Sequence, residues 1–214
     1  MEGKSISQAM LRRLPLYLNV LRSRPASLPT ISATALAAEL GLGEVLVRKD
    51  LALICGKGRP RIGYSVQDLT AAITTFLRYD AIDEAVIVGA GKLGRALLAF
   101  DGYNEFGLNV RTAFDTAVEQ GEVTSGGKQV LPMAELAAYC HAHSIGIGVL
   151  AVPAVAAQQA CDQMVACGIS AVMNFAPVHL NVPEGIVVQN ENFAAALALL
   201  SKMPRSSRPV HETR

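Results

Sequence analysis

Apolar positions along the chain follow two rhythms, and the change between them falls near residue 80. Before it the rhythm is helical. Ile6, Met10, Leu14, Tyr17, Leu18 and Leu21 predict an amphipathic helix over 5–22, with Pro15 arguing for a kink or a late start. The Pro- and Ser-rich stretch from Ser23 to Thr30 reads as a loop. Ser32 is placed to cap a second helix carrying Ala35, Leu36 and Leu40, and Gly41 stops it. A third helix starts at Gly43 or Glu44 with Val45, Leu46, Leu51 and Ile54 as its apolar positions. Two short helices joined by a Gly-containing turn form a helix-turn-helix pattern. Gly56 to Tyr64 is a tight ribbon, and Val66 to Arg78 a fourth helix.

After residue 80 short apolar runs alternate with helical segments. Strands are expected at Ala85–Val88, Val110–Phe114, Gly148–Val152, Ala171–Asn174 and Ile186–Val188. Helices are expected after Gly89, over Leu136–His143 and over Ala154–Cys167, with Glu119–Lys128 as loop or short hairpin. That alternation predicts a mostly parallel, doubly wound sheet. A last apolar helix, Phe193–Leu200, precedes a polar tail expected to be disordered. The fold class is therefore α/β, with a winged helix over 1–80 and a Rossmann domain over 81–190, followed by a terminal helix over 191–203 and a tail over 204–214.

Charge sharpens this division. The 214 residues carry a net charge of +1, but residues 1–80 hold eleven Lys and Arg against six Asp and Glu, and the rest is net acidic. A basic first half suits a polyanionic partner. No signal peptide is expected, because Arg12 and Arg13 interrupt the apolar positions. The longest apolar stretch is too short to span a bilayer, so the chain is expected to be cytoplasmic, without a membrane partner. Cys55, Cys140, Cys161 and Cys167 lack CxxC spacing and read as reduced small residues.

Two sets of residues carry chemistry. Gly89-Ala90-Gly91-Lys92-Leu93-Gly94 matches GxGxxG between a strand and a helix, where the glycines allow a tight turn and close approach of a pyrophosphate. Asp115 ends the next strand, where a carboxylate hydrogen-bonds ribose hydroxyls and repels a 2′-phosphate, which favours NAD and NADH. In the first half, Arg48 in the third helix is suited to guanine edges and Lys49 to a phosphate, with Asp50 orienting them. Lys57, Arg59 and Arg61 alternate along the ribbon, and alternate residues of an extended ribbon share a face. Together these point to double-stranded DNA.

The residues resemble one family over nearly the whole chain, the Rex redox-sensing transcriptional repressors. Arg13–Leu18, Val47–Leu51, Ile62–Tyr64, Gly89–Leu97, Ala113–Asp115, Ala151–Gln158 and Asn174–Asn190 carry the resemblance, in the family's order. It implies a homodimer with a C-terminal helix swapped between subunits, binding an inverted-repeat operator with NAD⁺ and released by NADH. It also implies control of genes for NADH reoxidation in fermentation or respiration. Val152, Pro153, Asn174, Phe175, Ala176 and Pro177 would lie near the nicotinamide, with Phe193 from the partner's swapped helix, and Arg13 would join an inter-domain switch. The chain departs from the family pattern at Asn192, where Asp is common, at Phe100, where Tyr is common, and in the Arg-Pro-Arg run of the wing.

Competing readings are an NAD-dependent dehydrogenase and a CoA- or nucleotide-binding interaction protein. The second half is consumed by the nucleotide fold, leaving no substrate domain, and no catalytic group stands out. His179 reads as a loop histidine. His141 and His143 at i, i+2 point to different helix faces, and Cys161 and Cys167 are poorly spaced, so no metal site is expected.

Overall fold

A computed structural model of the chain describes residues 7–202. Ile6, the helix start expected at residue 5 and the tail expected from 204 lie outside the described residues. The chain divides into two compact units, Met1–Ala81 and Ile82–Arg214, and each buries its own apolar core.

In the first unit, α1 (Gln8–Ser23) is capped by Ser7, whose hydroxyl accepts the Met10 N–H, and it buries Met10, Leu14, Tyr17, Leu18 and Leu21. Pro15 removes one N–H from the helical ladder, yet the helix runs through it because buried residues on both sides hold it. Strand β1 (Thr30–Ile31) leads into α2 (Ala33–Leu40). Ser32 caps α2 and Gly41 ends it in the left-handed region, as the sequence predicts. Next come α3 (Glu44–Cys55), β2 (Tyr64–Ser65) and α4 (Val66–Phe76). The two short strands pair antiparallel and close the base of the ribbon.

A buried charge locks this unit. Asp50 in α3 is only 6 % exposed. Its Oδ1 accepts from Arg13 Nη2 at 3.0 Å, and its Oδ2 accepts from Arg13 Nε at 2.9 Å and from the Tyr17 hydroxyl at 2.7 Å. Asp50 therefore holds α1 rather than orienting Arg48 and Lys49, which corrects the sequence expectation. Arg48 is held instead by Glu44, one helical turn before it. Burial, then the bond to Asp50, pushes the Tyr17 hydroxyl up to about 12. The same carboxylate strengthens proton binding by Arg13.

The second unit is a seven-stranded sheet in the order β5-β6-β4-β3-β7-β8-β9. Its strands are β3 (Asp83–Val88), β4 (Leu108–Asp115), β5 (Glu122–Val123), β6 (Gln129–Pro132), β7 (Ile147–Leu150), β8 (Ala171–Asn174) and β9 (Val187–Asn190). All pair in parallel except β5 with β6. Alternation along β3 sends Val86 and Val88 to one core and Ala85 and Ile87 to the other, so both faces are covered. The connecting helices are α5 (Lys92–Ala99), α6 (Leu136–His143) and α7 (Ala154–Ala166). Strand β6 was not foreseen, because its alternation is short and follows a polar hairpin. The expected strand Gly148–Val152 ends at Leu150, leaving Val152 and Pro153 in a loop. The last helix, α8 (Phe193–Lys202), buries none of its residues, although it is mostly Ala and Leu.

Arg13→Ala leaves the Asp50 carboxylate buried and unpaired, and denaturant unfolding should show a loss of about 3 kcal/mol. Tyr17 binds its proton more tightly folded than unfolded, so its contribution is complete below pH about 10 and is lost as pH rises towards 12. Tyr17→Phe should flatten that alkaline loss in melts recorded across the same range.

Candidate functional site

The loop after β3 and the loop after β7 meet where the chain's connections diverge to opposite sides of the sheet, the position at which open α/β sheets bind ligands. Gly89 has φ +101°, and a Cβ there would lie 2.5 Å from the Ala151 carbonyl oxygen. A Cβ on Gly94 would lie 1.8 Å from the Gly89 carbonyl oxygen. Only hydrogen fits at either place, which brings the start of α5 hard against the strand ends. Gly91 caps α5 with no side-chain hydrogen bond, and nothing stands within 4 Å of where its Cβ would be. The first N–H groups of α5 thus face open space with the positive end of the helix dipole behind them, which suits a pyrophosphate.

Asp115 closes the other side. Its Oδ2 accepts the Ala90 N–H at 2.6 Å and its Oδ1 the Ala117 N–H at 2.8 Å, so the carboxylate is aimed before any ligand arrives. A cavity of about 240 Å³ runs from Gly89, Gly91 and Asp115 to Val152, Pro153 and Ala156. These residues fit a dinucleotide, with a glycine loop for the phosphates, a carboxylate for ribose hydroxyls and an apolar far end. Lys92 and Leu93 stand exposed on the first turn of α5, outside this lining, and Gly94 is buried in packing.

The segment after β8 is braced from within. Asn174 is fully buried, donates to Val178 O at 3.0 Å and to Asn190 Oδ1 at 2.8 Å, and accepts the Ala176 N–H at 2.9 Å. It braces the loop that carries Phe175, Ala176 and Pro177, and none of the four lines the cavity. The Phe175 and Phe193 rings of this chain lie 5.6 Å apart, with Phe193 still 59 % exposed. Asn192 caps α8 by accepting the Ala195 N–H at 2.9 Å, a role legible in the sequence as Asn before an apolar run. Phe100 ends α5 and meets Tyr103 edge-on at 5.0 Å. Burial raises the Cys140, Cys161 and Cys167 thiols, Cys140 to about 11, so all three stay protonated near neutrality.

In the first unit, α3 turns Val47, Asp50 and Leu51 inward and exposes Arg48 and Lys49. The ribbon is not extended through its cations. The Ile62 N–H reaches back to Arg59 O at 3.2 Å, and Arg61 stands at φ +64° in the left-handed region. Alternation along an extended strand therefore does not align Lys57, Arg59 and Arg61. The turn does it instead, and all three line one concavity with Arg48, Ala52 and the start of α2. Among the described residues, Lys49, Lys57, Arg59 and Arg61 have no ion pair, whereas Arg13, Arg24, Arg48 and Arg95 are each held by a carboxylate. Uncompensated cations gathered in one concavity, as Lys57, Arg59 and Arg61 are, are the footprint of a polyanion site.

Comparison with known proteins covers both units. A family model described as putative DNA-binding protein N-terminus matches residues 5–52, and one described as CoA binding domain matches residues 80–178. The chain is 37% identical over 202 residues to the redox-sensing transcriptional repressor Rex of Porphyromonas gingivalis, covering 94% of this chain and 93% of that one. It is 36% identical over 200 residues to the Streptomyces coelicolor protein of the same name, covering 93% and 78%. Among solved structures, RSP in complex with β-NAD⁺ and operator DNA superposes with a TM-score of 0.85 at 28% identity, covering 93% of this chain and 92% of that one.

Gly94→Ala should abolish NADH binding, measured by cofactor fluorescence, because the added methyl forces α5 off the Gly89 loop. Asp115→Asn should weaken NADH binding about tenfold, the worth of a charge-assisted hydrogen bond. It should also narrow the preference over NADPH.

Proposed function

The chain belongs to the Rex family of redox-sensing transcriptional repressors, and on that premise we propose that it binds operator DNA as a homodimer with NAD⁺ and leaves it with NADH. Genes for NADH reoxidation would then be expressed when reduced cofactor accumulates. The observation that carries this reading is the presence in one chain of three cations gathered in one concavity of the first unit, without ion pairs among the described residues, and a glycine loop with an aimed carboxylate. The chain acts in the cytoplasm in this reading, and no helix among the described residues is long and apolar enough to cross a membrane.

The relatives are redox-sensing transcriptional repressors rather than enzymes, and the cavity is lined mostly by small and apolar residues. Asp115 is the one titratable residue lining it among the described residues, and His179 lies in a different depression beside β9. Gly89, Ala90, Gly91 and the first turn of α5, with Lys92, Leu93 and Gly94, hold the phosphate region, and Asp115 holds a ribose. Val152 and Pro153 face the nicotinamide, with Asn174, Phe175, Ala176 and Pro177 setting the wall behind it. NADH differs from NAD⁺ by an uncharged, non-planar ring, and an apolar lining favours the uncharged ring. The unburied apolar face of α8, with Leu197 67 % and Leu200 55 % exposed, is the dimerisation element, and Phe193 on it approaches a nicotinamide site.

Redox coupling is assigned to Arg13, Phe100 and Asn192 through the elements they hold. Arg13 grips the recognition helix through Asp50. Phe100 sits at the far end of the helix whose start meets the nucleotide, and Asn192 fixes the start of α8. NADH shifts DNA affinity only by its differential affinity for the free and DNA-bound states.

In a mobility-shift assay the full chain should retard its operator with NAD⁺, and NADH should abolish the retardation. Equal NADH affinity of free and DNA-bound protein would sink the reading. Arg59→Ala with Arg61→Ala should weaken binding of all sequences and lower the salt slope by about two.

A further inference from the structure

The outward stripe of α3 contains a residue that the cation chemistry leaves unexplained. Val45, Arg48, Lys49 and Ala52 recur at i, i+3, i+4 and i+7 and therefore share one face. Arg48 and Ala52 line the concavity beneath the basic ribbon. Val45 begins this stripe, in the first turn, and is 65 % exposed. A β-branched side chain there gains nothing from burial and is a poorer helix former than the Ala, Lys or Glu that a solvated position accepts. Its neighbour Glu44 draws the Arg48 guanidinium towards the same turn. A branched apolar group and a cation thus stand side by side at the N-terminal end of the helix, the end from which recognition helices touch base edges.

We propose that Val45 determines operator specificity by contacting the C5-methyl group of a thymine in the major groove, beside the base or phosphate that Arg48 contacts. The proposal rests on the repressor reading. In the major groove, thymine is distinguished from cytosine at C5 by its methyl group, and that group is matched by apolar side chains rather than by charge.

The test uses the full-length protein with NAD⁺ and a duplex recovered by selection from randomised DNA. Each thymine of one half-site is replaced in turn by deoxyuridine, which lacks only the C5-methyl. One position should weaken wild-type binding about fourfold, the worth of removing one buried methyl group. The same replacement should leave Val45→Ala unchanged, and duplexes selected by that variant should lose the thymine preference there. Ala is a better helix former at an exposed site, so the variant should fold, and its NADH affinity should match wild type. Deoxyuridine replacements that weaken both proteins equally, or neither, overturn the assignment of Val45 while leaving the repressor reading intact. Failure to select any duplex overturns both.

Discussion

The DNA-binding unit depends on one buried carboxylate. Asp50 sits in the middle of α3, two residues from Arg48, yet it faces inward and accepts from Nε and Nη2 of Arg13 and from the Tyr17 hydroxyl. A charge buried this deeply is tolerated only when its lone pairs are filled, and α1 supplies every donor. Because the arrangement is bidentate, it fixes the rotation of α3 as well as its distance from α1. That rotation decides which residues of α3 face outward. The same three-residue run, Arg48-Lys49-Asp50, therefore supplies two outward cations and one inward anchor, and the anchor gives the cations a defined direction.

The nucleotide unit rests on a constraint of a different kind. Gly94 and Gly89 approach so closely that neither accepts a side chain, and Gly89 presses against the loop after β7 in the same way. These contacts are steric, and they place the N–H groups at the start of α5 beside the carboxylate of Asp115. The fold matched over 80–178 is described for CoA, and the parallel sheet by itself does not distinguish CoA from a dinucleotide. Asp115 stands at the end of β4, where a carboxylate favours a dinucleotide by accepting from ribose hydroxyls and repelling a phosphate on the same sugar.

The cations fall into two groups, and the first unit holds both. Arginines that serve the fold are tied to carboxylates, as with Arg13 to Asp50, Arg24 to Glu39 and Arg95 to Glu122. The cations of the ribbon and Lys49 are left without such partners among the described residues. Pairing is worth little on an exposed surface, so leaving these four uncompensated costs the fold little while preserving their full charge for a phosphate backbone. The left-handed backbone of Arg61, where a glycine would be less strained, is consistent with a side chain kept there for its charge.

The sequence by itself determined the division near residue 80, the helix caps at Ser32 and Gly41, the strand-loop-helix context of Gly89–Gly94 and the place of Asp115. Each of these is a local matter, set by hydrophobic period, cap chemistry or steric limits within a few residues. Tertiary structure alone decided that Asp50 points at Arg13, 37 residues away, that a turn gathers Lys57, Arg59 and Arg61, and that Asn174 braces the loop after β8. Strand β6 belongs with these, since four residues carry too little alternation to announce a strand, and it forms because β4 offers it an edge. The physical reason is common to all of them: periodicity and capping report the chain's neighbours in sequence, whereas the partner of a buried polar group is chosen by packing, which brings together residues that no local pattern connects.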